Sequence, residues 1–238
     1  HVSAPVSRGL FTKWLYRQTD HLVTTSDAIR EHLICALGLD PAIVTSIPTG
    51  IETQAEWRGI TIEEREAARS KLGFGADDPF VFGMVSTLRS WKGHEDALRA
   101  LSTLPSGLIV IVGDGPQEEN IRKTIESLGL EGRVILVGHT PAVREVAAAF
   151  DAYLHPSYSN EGVSQSLLQA MSMGIPVIVS DIGGLNEVVR PGVDGLLVPP
   201  KNPAALADAM ANLISSDGGC EKMAETARMR VEREYSMV

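Results

Sequence analysis

The sequence has little cysteine and few of the side-chain groupings that announce a metal or a hydrolytic centre. Cys35 and Cys220 lie 185 positions apart and neither belongs to a CxxC or Cys/His cluster, so they read as two reduced thiols. The histidines (His1, His21, His32, His94, His139 and His155) form no HxH or HExxH pair, which argues against a bound metal. There is no DxD pair, no GxSxG elbow and no GxxxxGK[ST] loop, and no strand is followed by GxGxxG. No run approaches the roughly 20 apolar residues of a membrane span. Positive charge is also short: 21 Lys and Arg against 30 Asp and Glu leave a formal net charge of −9, the wrong sign for a general nucleic-acid binder. The first residue is His1, which reads as a processed or partial chain, so the missing signal peptide says little; the cytoplasm is the default compartment. Neither repeats nor low-complexity tracts occur.

What is present is an ordinary globular composition, 44% apolar and 21% charged over 238 residues, enough for a core without staples. Short runs rich in Val and Ile recur at Leu22–Thr25, Ile43–Ile47, Phe80–Val85, Leu108–Val112, Val134–Val137, Ala152–His155, Pro176–Ser180 and Leu196–Val198. Several are apolar on both faces, as buried parallel strands are. Between the later runs lie helical stripes: Ile121, Ile125 and Leu128; Val163, Leu167, Leu168 and Met171; Leu206, Met210, Leu213 and Ile214. The spacing of strand starts from Phe80, about 18–28 residues, is that of βα units. It predicts an α/β fold, a Rossmann-like parallel sheet with helices on both faces. Residues 51–78 differ. They are polar, with a charged helical run Glu63–Arg69 and then Gly73, Gly75, Asp77 and Asp78, and read as a linker with a helix. This divides the chain into 1–50, the tail of another domain; 51–78, the linker; and 79–238, the main domain.

Ligands of open α/β sheets bind beyond the carboxyl ends of the strands, so the loops there are where binding residues are expected. After Phe80–Val85 come Arg89 and Lys92, either solvated surface cations or a cradle for a diphosphate. Gly113-Asp114-Gly115-Pro116 is either a strand-to-helix turn alone or a turn that also lets backbone approach a ligand. After Ala152–His155 a helix is expected to start around Gly162–Gln165, with free N–H groups for an anion and Gly162 allowing close approach. Glu161, just ahead of it, either caps that helix or binds a ligand hydroxyl or sugar. Gln169, eight residues on, falls roughly on the same side of the helix. Gly183 and Gly184 suit another close approach, and Glu187 is a structural cap rather than a catalyst.

Taken in order, Lys92-Gly93, Val112-Gly-Asp-Gly-Pro116, His155-Pro156-Ser157, Glu161-Gly162-Val163-Ser164, Gln169-Ala170-Met171, Gly174-Ile175-Pro176-Val177-Ile178 and Gly183-Gly184 with Glu187 resemble the retaining GT-B glycosyltransferases of family GT4, glycosyl transferases group 1. Asp20–Ser26 and Ile47–Ile51 resemble the family's passage from its first to its second domain.

The resemblance implies a two-domain enzyme whose C-terminal Rossmann-like domain binds a nucleotide-diphosphate sugar and whose N-terminal domain binds a saccharide or lipid-linked acceptor, as in polysaccharide biosynthesis. Glu161 matches the first Glu of the family's Glu-x7-Glu motif, which contacts the donor sugar. The second, which contacts the ribose, is Gln169 here: it still hydrogen-bonds but carries no charge. Gly162, Val163, Ser164 and Gln165 would meet the diphosphate through their backbone, and Lys92 matches the phosphate-binding lysine. The family's upstream arginine is absent, and Arg89 is expected to supply its charge. Gly138, His139 and Thr140 would border the base. No cofactor or metal is implied; Lys92, Arg89 and a helix N-terminus would steady the leaving group by preorganised charge. The resemblance permits peripheral association with the inner membrane through a first domain ahead of His1. It also implies a further helix after Val238 that crosses back to that domain, and the chain by itself is expected not to transfer sugar. The other readings are a non-catalytic nucleotide-sugar-binding module and a different GT-B enzyme, such as a nucleotide-sugar epimerase or a phosphorylase.

Overall fold

The structure, a computed structural model, describes residues 9–75, 79–159, 161–216 and 219–237. His1, Asp77 and Asp78, which figured in the sequence reading, lie outside them. The chain opens with helix α1 (Leu10–Arg17), then a βαβ unit of β1 (Leu22–Thr24), α2 (Asp27–Leu37) and β2 (Val44–Ser46). The two strands pair in parallel, Leu22 opposite Val44. Ser26 stops β1 and starts α2, its hydroxyl accepting from the Ile29 N–H, and Gly38 ends the helix at a left-handed φ of 64°. Leu33, Ala36, Leu37, Leu39 and Val44 form a small core of their own.

Helix α3 (Ile62–Lys71) occupies the polar stretch expected as a linker. Thr61 and Glu64 form a complete capping box at its start, which is why so charged a sequence is helical. The stretch does not hang free. Arg65 and Arg69 both pair with Asp151, Glu64 pairs with Arg144 at 3.0 Å, and the Ile60 N–H donates to Met173 O.

The remainder is β3 (Val81–Val85), α4 (His94–Thr103), β4 (Leu108–Val112), α5 (Glu118–Ser127), β5 (Val134–Gly138), α6 (Val143–Ala147), β6 (Ala152–His155), α7 (Gln165–Ser172), β7 (Val177–Ser180), α8 (Leu185–Val188), β8 (Leu196–Val198), α9 (Pro203–Ser215) and α10 (Gly219–Glu234). The six strands form one parallel sheet in the order β5-β4-β3-β6-β7-β8. All eight expected strands are present.

Alternate residues of each central strand enter opposite cores. Val110, Val112, Tyr153, Val177 and Val179 pack with α6, α7, α8 and α10. Phe82, Met84, Ile109, Ile111, Leu154 and Ile178 pack with α4, α5 and α9. A sheet covered on both faces must be apolar on both. Gly83 is the exception with a reason: a Cβ there would sit 1.9 Å from the ring of buried Phe150. After α10 the chain returns to the start of the stretch before α3, where Ile51 N–H donates to Tyr235 O and Met237 N–H to Ile51 O, both at 2.9 Å. Among the described residues no helix is long and apolar enough to cross a membrane.

Candidate functional site

The strand order changes direction between β3 and β6: β4 and β5 extend to one side, β7 and β8 to the other. At such a switch point the loops leave in opposite senses and a crevice opens beyond the strand ends. A cavity of about 1090 Å³ lies there, at the large end of ligand pockets (roughly 300–1,000 Å³). Its floor is formed by the loops after β3, β4, β5 and β6; its opposite wall by Thr24, Thr25, Ile29, Leu33 and Thr49 of the N-terminal segment.

The loops after β3 and β6 carry the charged pair at its centre. A 3₁₀ turn, Ser90–Lys92, ends on Gly93 at φ 74°. A Cβ on Gly93 would lie 2.0 Å from Pro156 O, so glycine lets the two loops touch. That contact places Lys92 Nζ 2.7 and 3.0 Å from the two Glu161 carboxylate oxygens, with the side chains only 18% and 12% exposed. Burial works against the Glu161 charge, but His155 and Lys92 outweigh it and hold the pKa down to about 2. Glu161 does not cap α7, which has no side-chain cap. Its carboxylate is the counterion of Lys92.

Behind this pair the polar groups are chained. His155 Nε2 stands 3.8 Å from Glu161 Oε2, beyond hydrogen-bond range. Its Nδ1 is 3.2 Å from Tyr153 Oη, and Tyr153 donates to Ser166 Oγ at 2.9 Å. Burial pushes the Tyr153 pKa up, so it remains a phenol donor. The Nε2 of buried His94 lies 3.1 Å from Ser86 Oγ. Burial, with Lys92 and His155 adding to it, lowers its pKa to about 4, which makes it a neutral imidazole at pH 7.

Most of the residues expected from sequence come together here. Arg89, Gly162, Val163, Ser164, Gln165, Gln169, His139 and Thr140 all line the cavity with Lys92 and Glu161. Arg89 does not join the ion pair; it is exposed and its guanidinium lies 5.7 Å from the centre of the Trp91 ring. Gly138 is off the cavity wall: it turns the chain at φ 77° and its carbonyl accepts from the Gly113 N–H. Gly162 needs to be glycine for a reason other than an anion, since its Cβ would meet Thr25 Oγ1 at 2.1 Å. Glu187 is a cap, as expected, but of α2 and not of its own helix. Thr25, Thr49 and Tyr153 were not singled out. The two threonines follow the carboxyl ends of β1 and β2, so the strand-end rule applied to the N-terminal pair would have found them. Among the described residues no group of three or more His, Cys, Asp or Glu is arranged to hold a metal ion.

The comparisons agree with this architecture. The family model described as glycosyl transferases group 1 matches residues 64–230. A 2-deoxystreptamine N-acetyl-D-glucosaminyltransferase of Streptomyces fradiae is 31% identical over 211 residues, covering 85% of this chain and 49% of the relative. A D-inositol 3-phosphate glycosyltransferase of Actinosynnema mirum is 29% identical over 94% of this chain and 56% of its own length. The chain thus spans about half the length of these relatives. Among solved structures, Anabaena HepE in complex with UDP-glucose superposes with a TM-score of 0.90 at 25% identity, over 99% of this chain and 66% of that one. Fold, site position and sequence lead to one assignment: the chain belongs to the glycosyl transferases group 1 family.

Proposed function

We propose that this chain forms the donor side of a retaining glycosyltransferase, which takes a sugar from a nucleoside-diphosphate sugar to a saccharide or glycolipid acceptor without a metal ion. The observation that carries the reading is the Lys92–Glu161 pair at the switch point, set beside an uncapped helix N-terminus. Cleaving the bond between the anomeric carbon and the diphosphate oxygen leaves negative charge on the departing diphosphate. Lys92 and the N–H groups of the first turn of α7 are fixed donors on that side of the cavity, and Arg89 on its rim adds positive charge. As the diphosphate takes the Lys92 ammonium, Glu161 is released to accept from a sugar hydroxyl. Gln169 faces the same cavity and can hydrogen-bond a ribose hydroxyl, while His139 and Thr140 border the base. The solved relative with UDP-glucose bound supports a nucleotide sugar as donor.

The test is a thermal-shift series with UDP, GDP and ADP and their sugars, with and without EDTA. One nucleotide class should raise the midpoint, since a ligand bound only by the folded state stabilises it, and EDTA should leave that shift in place. Lys92→Ala should weaken binding about 30-fold, equivalent to ~2 kcal/mol for a lost charge-assisted bond. No shift with any nucleotide, or an undiminished shift in Lys92→Ala, overturns the reading.

A further inference from the structure

The turn from Gly183 to Val188 touches both walls of the cleft. On one side the Gly184 N–H donates to Glu161 O at 2.7 Å. A Cβ on Gly183 would lie 2.7 Å from that same oxygen, and one on Gly184 would lie 2.4 Å from Gly162 C. The backbone that carries Glu161 therefore rests on two glycines with no room for a side chain between. On the other side the Glu187 carboxylate accepts from the Asp27 N–H at 3.0 Å and the Ala28 N–H at 2.7 Å.

Those two N–H groups open α2, where a helix has donors with no partner of its own. Ser26 takes the Ile29 N–H; Glu187 takes the two before it from 160 and 159 positions away. A carboxylate there gains both the hydrogen bonds and the helix dipole. Supplied from another region of the molecule, it fixes where α2 stands. The turn is braced from behind. Arg230 of α10 donates to Glu187 O at 3.0 Å and Val188 O at 2.6 Å, and is held by fully buried Asp194. Beside this contact the Val163 N–H donates to Thr25 O at 3.1 Å.

We infer that Glu187 is a positioning residue that locks the β1–α2 wall onto the turn supporting Glu161, so that closing the cleft and placing Glu161 are one event. The inference rests on the donor-site reading above. Glu187 makes no hydrogen bond or ion pair with Lys92, Arg89 or the first turn of α7; it reaches the diphosphate side only through Glu161, so its loss should fall mainly on the sugar.

The experiment combines calorimetric affinities with hydrogen–deuterium exchange of residues 27–29, for wild type, Glu187→Ala and Glu187→Gln. The ligands are the nucleoside diphosphate that stabilises wild type and its sugar. Glu187→Ala should lose about tenfold in affinity for the sugar nucleotide while the bare nucleoside diphosphate binds within about twofold of wild type. Glu187→Gln, which keeps one acceptor, should recover part of that loss. Exchange at 27–29 should be faster in Glu187→Ala, and the sugar nucleotide should slow it in wild type only. An equal fall for both ligands marks a merely structural role and overturns the inference, as does unchanged exchange at 27–29. If wild type binds no nucleotide, the donor reading fails, and the unliganded exchange rates of wild type and Glu187→Ala still decide whether the lock exists.

Discussion

The N-terminal segment and the six-stranded region are built from the same βα grammar with opposite results. In the large sheet each strand has a covered neighbour and two apolar faces, and Val81, Phe82, Ile109, Val110, Ile178 and Val179 are fully buried. In the described N-terminal segment one strand pair packs with two helices. Phe11, Trp14 and Leu15 on α1, and Val23 and Ile47 on or beside the strands, are each more than half exposed. A two-stranded sheet has too few layers to be stable alone. Its position here comes from specific tethers, Glu187 on α2 and Val163 on Thr25, rather than from a broad apolar interface. The lesson is that one wall of the cleft is set by packing and the other by a few polar contacts.

Four perturbations probe that difference, from large to small. Phe150→Ala removes the ring that lies over Gly83, fully buried between sheet and helices. It should cost about 3–5 kcal/mol of global stability, read as a fall in the denaturant midpoint. Leu37→Ala, also fully buried but in the N-terminal core, should accelerate amide exchange in α2 with a much smaller shift of that midpoint. Equal shifts for the two variants would mean that the molecule unfolds as one unit and that the contrast is wrong.

Acid should also act on the large region first. The His94 pKa is lowered from 6.5 to about 4, so below its ordinary value the unfolded chain binds a proton that the folded chain refuses. The stability it contributes is complete above about pH 6.5 and is lost as the pH falls toward 4, on the order of 3 kcal/mol. Wild type should show that slope in denaturant melts over this window, and His94→Asn should flatten it. The smallest effect is expected at Ser26→Ala, which removes the local cap of α2 and should cost ~1 kcal/mol. It should appear as faster exchange at Ile29 while the large sheet melts unchanged.

The strands were legible because a buried parallel strand is a short apolar run whatever surrounds it. Helices with a clear stripe, such as Ile121 and Ile125 of α5, were legible for the same reason. Helix α10 was not read from its sequence, although Ala224, Ala227 and Val231 are buried along it. Two of those three are alanines, whose small apolar surface is hidden among many charges. At the site, the residue types were readable and the pairings were not. Nothing local tells Lys92 that its counterion lies 69 positions away, or Glu187 that it caps a helix 160 positions before it. The first of these contacts follows from strand order, which brings β3 beside β6; the second joins two different sheets. The glycines at 162 and 184, expected to admit a ligand, have another loop of this chain as their close neighbour, which no local pattern shows.

The bridge between Ile51 and the last described residues gives the molecule a clasp. Ile51 hydrogen-bonds both Tyr235 and Met237, Thr53 meets Ser236 at 2.9 Å, and a side chain on Gly50 would strike Met237. The strand of chain leading out of the N-terminal segment is thus stapled where it enters the large region, by a tail contributed from the far end of the sequence. Residues 50–51 thereby have a fixed place relative to the large region, set by two hydrogen bonds from one short stretch. A substitution at residues 235–237 that breaks these bonds should reach the cleft through residue 50, without touching either the ion pair or the lock.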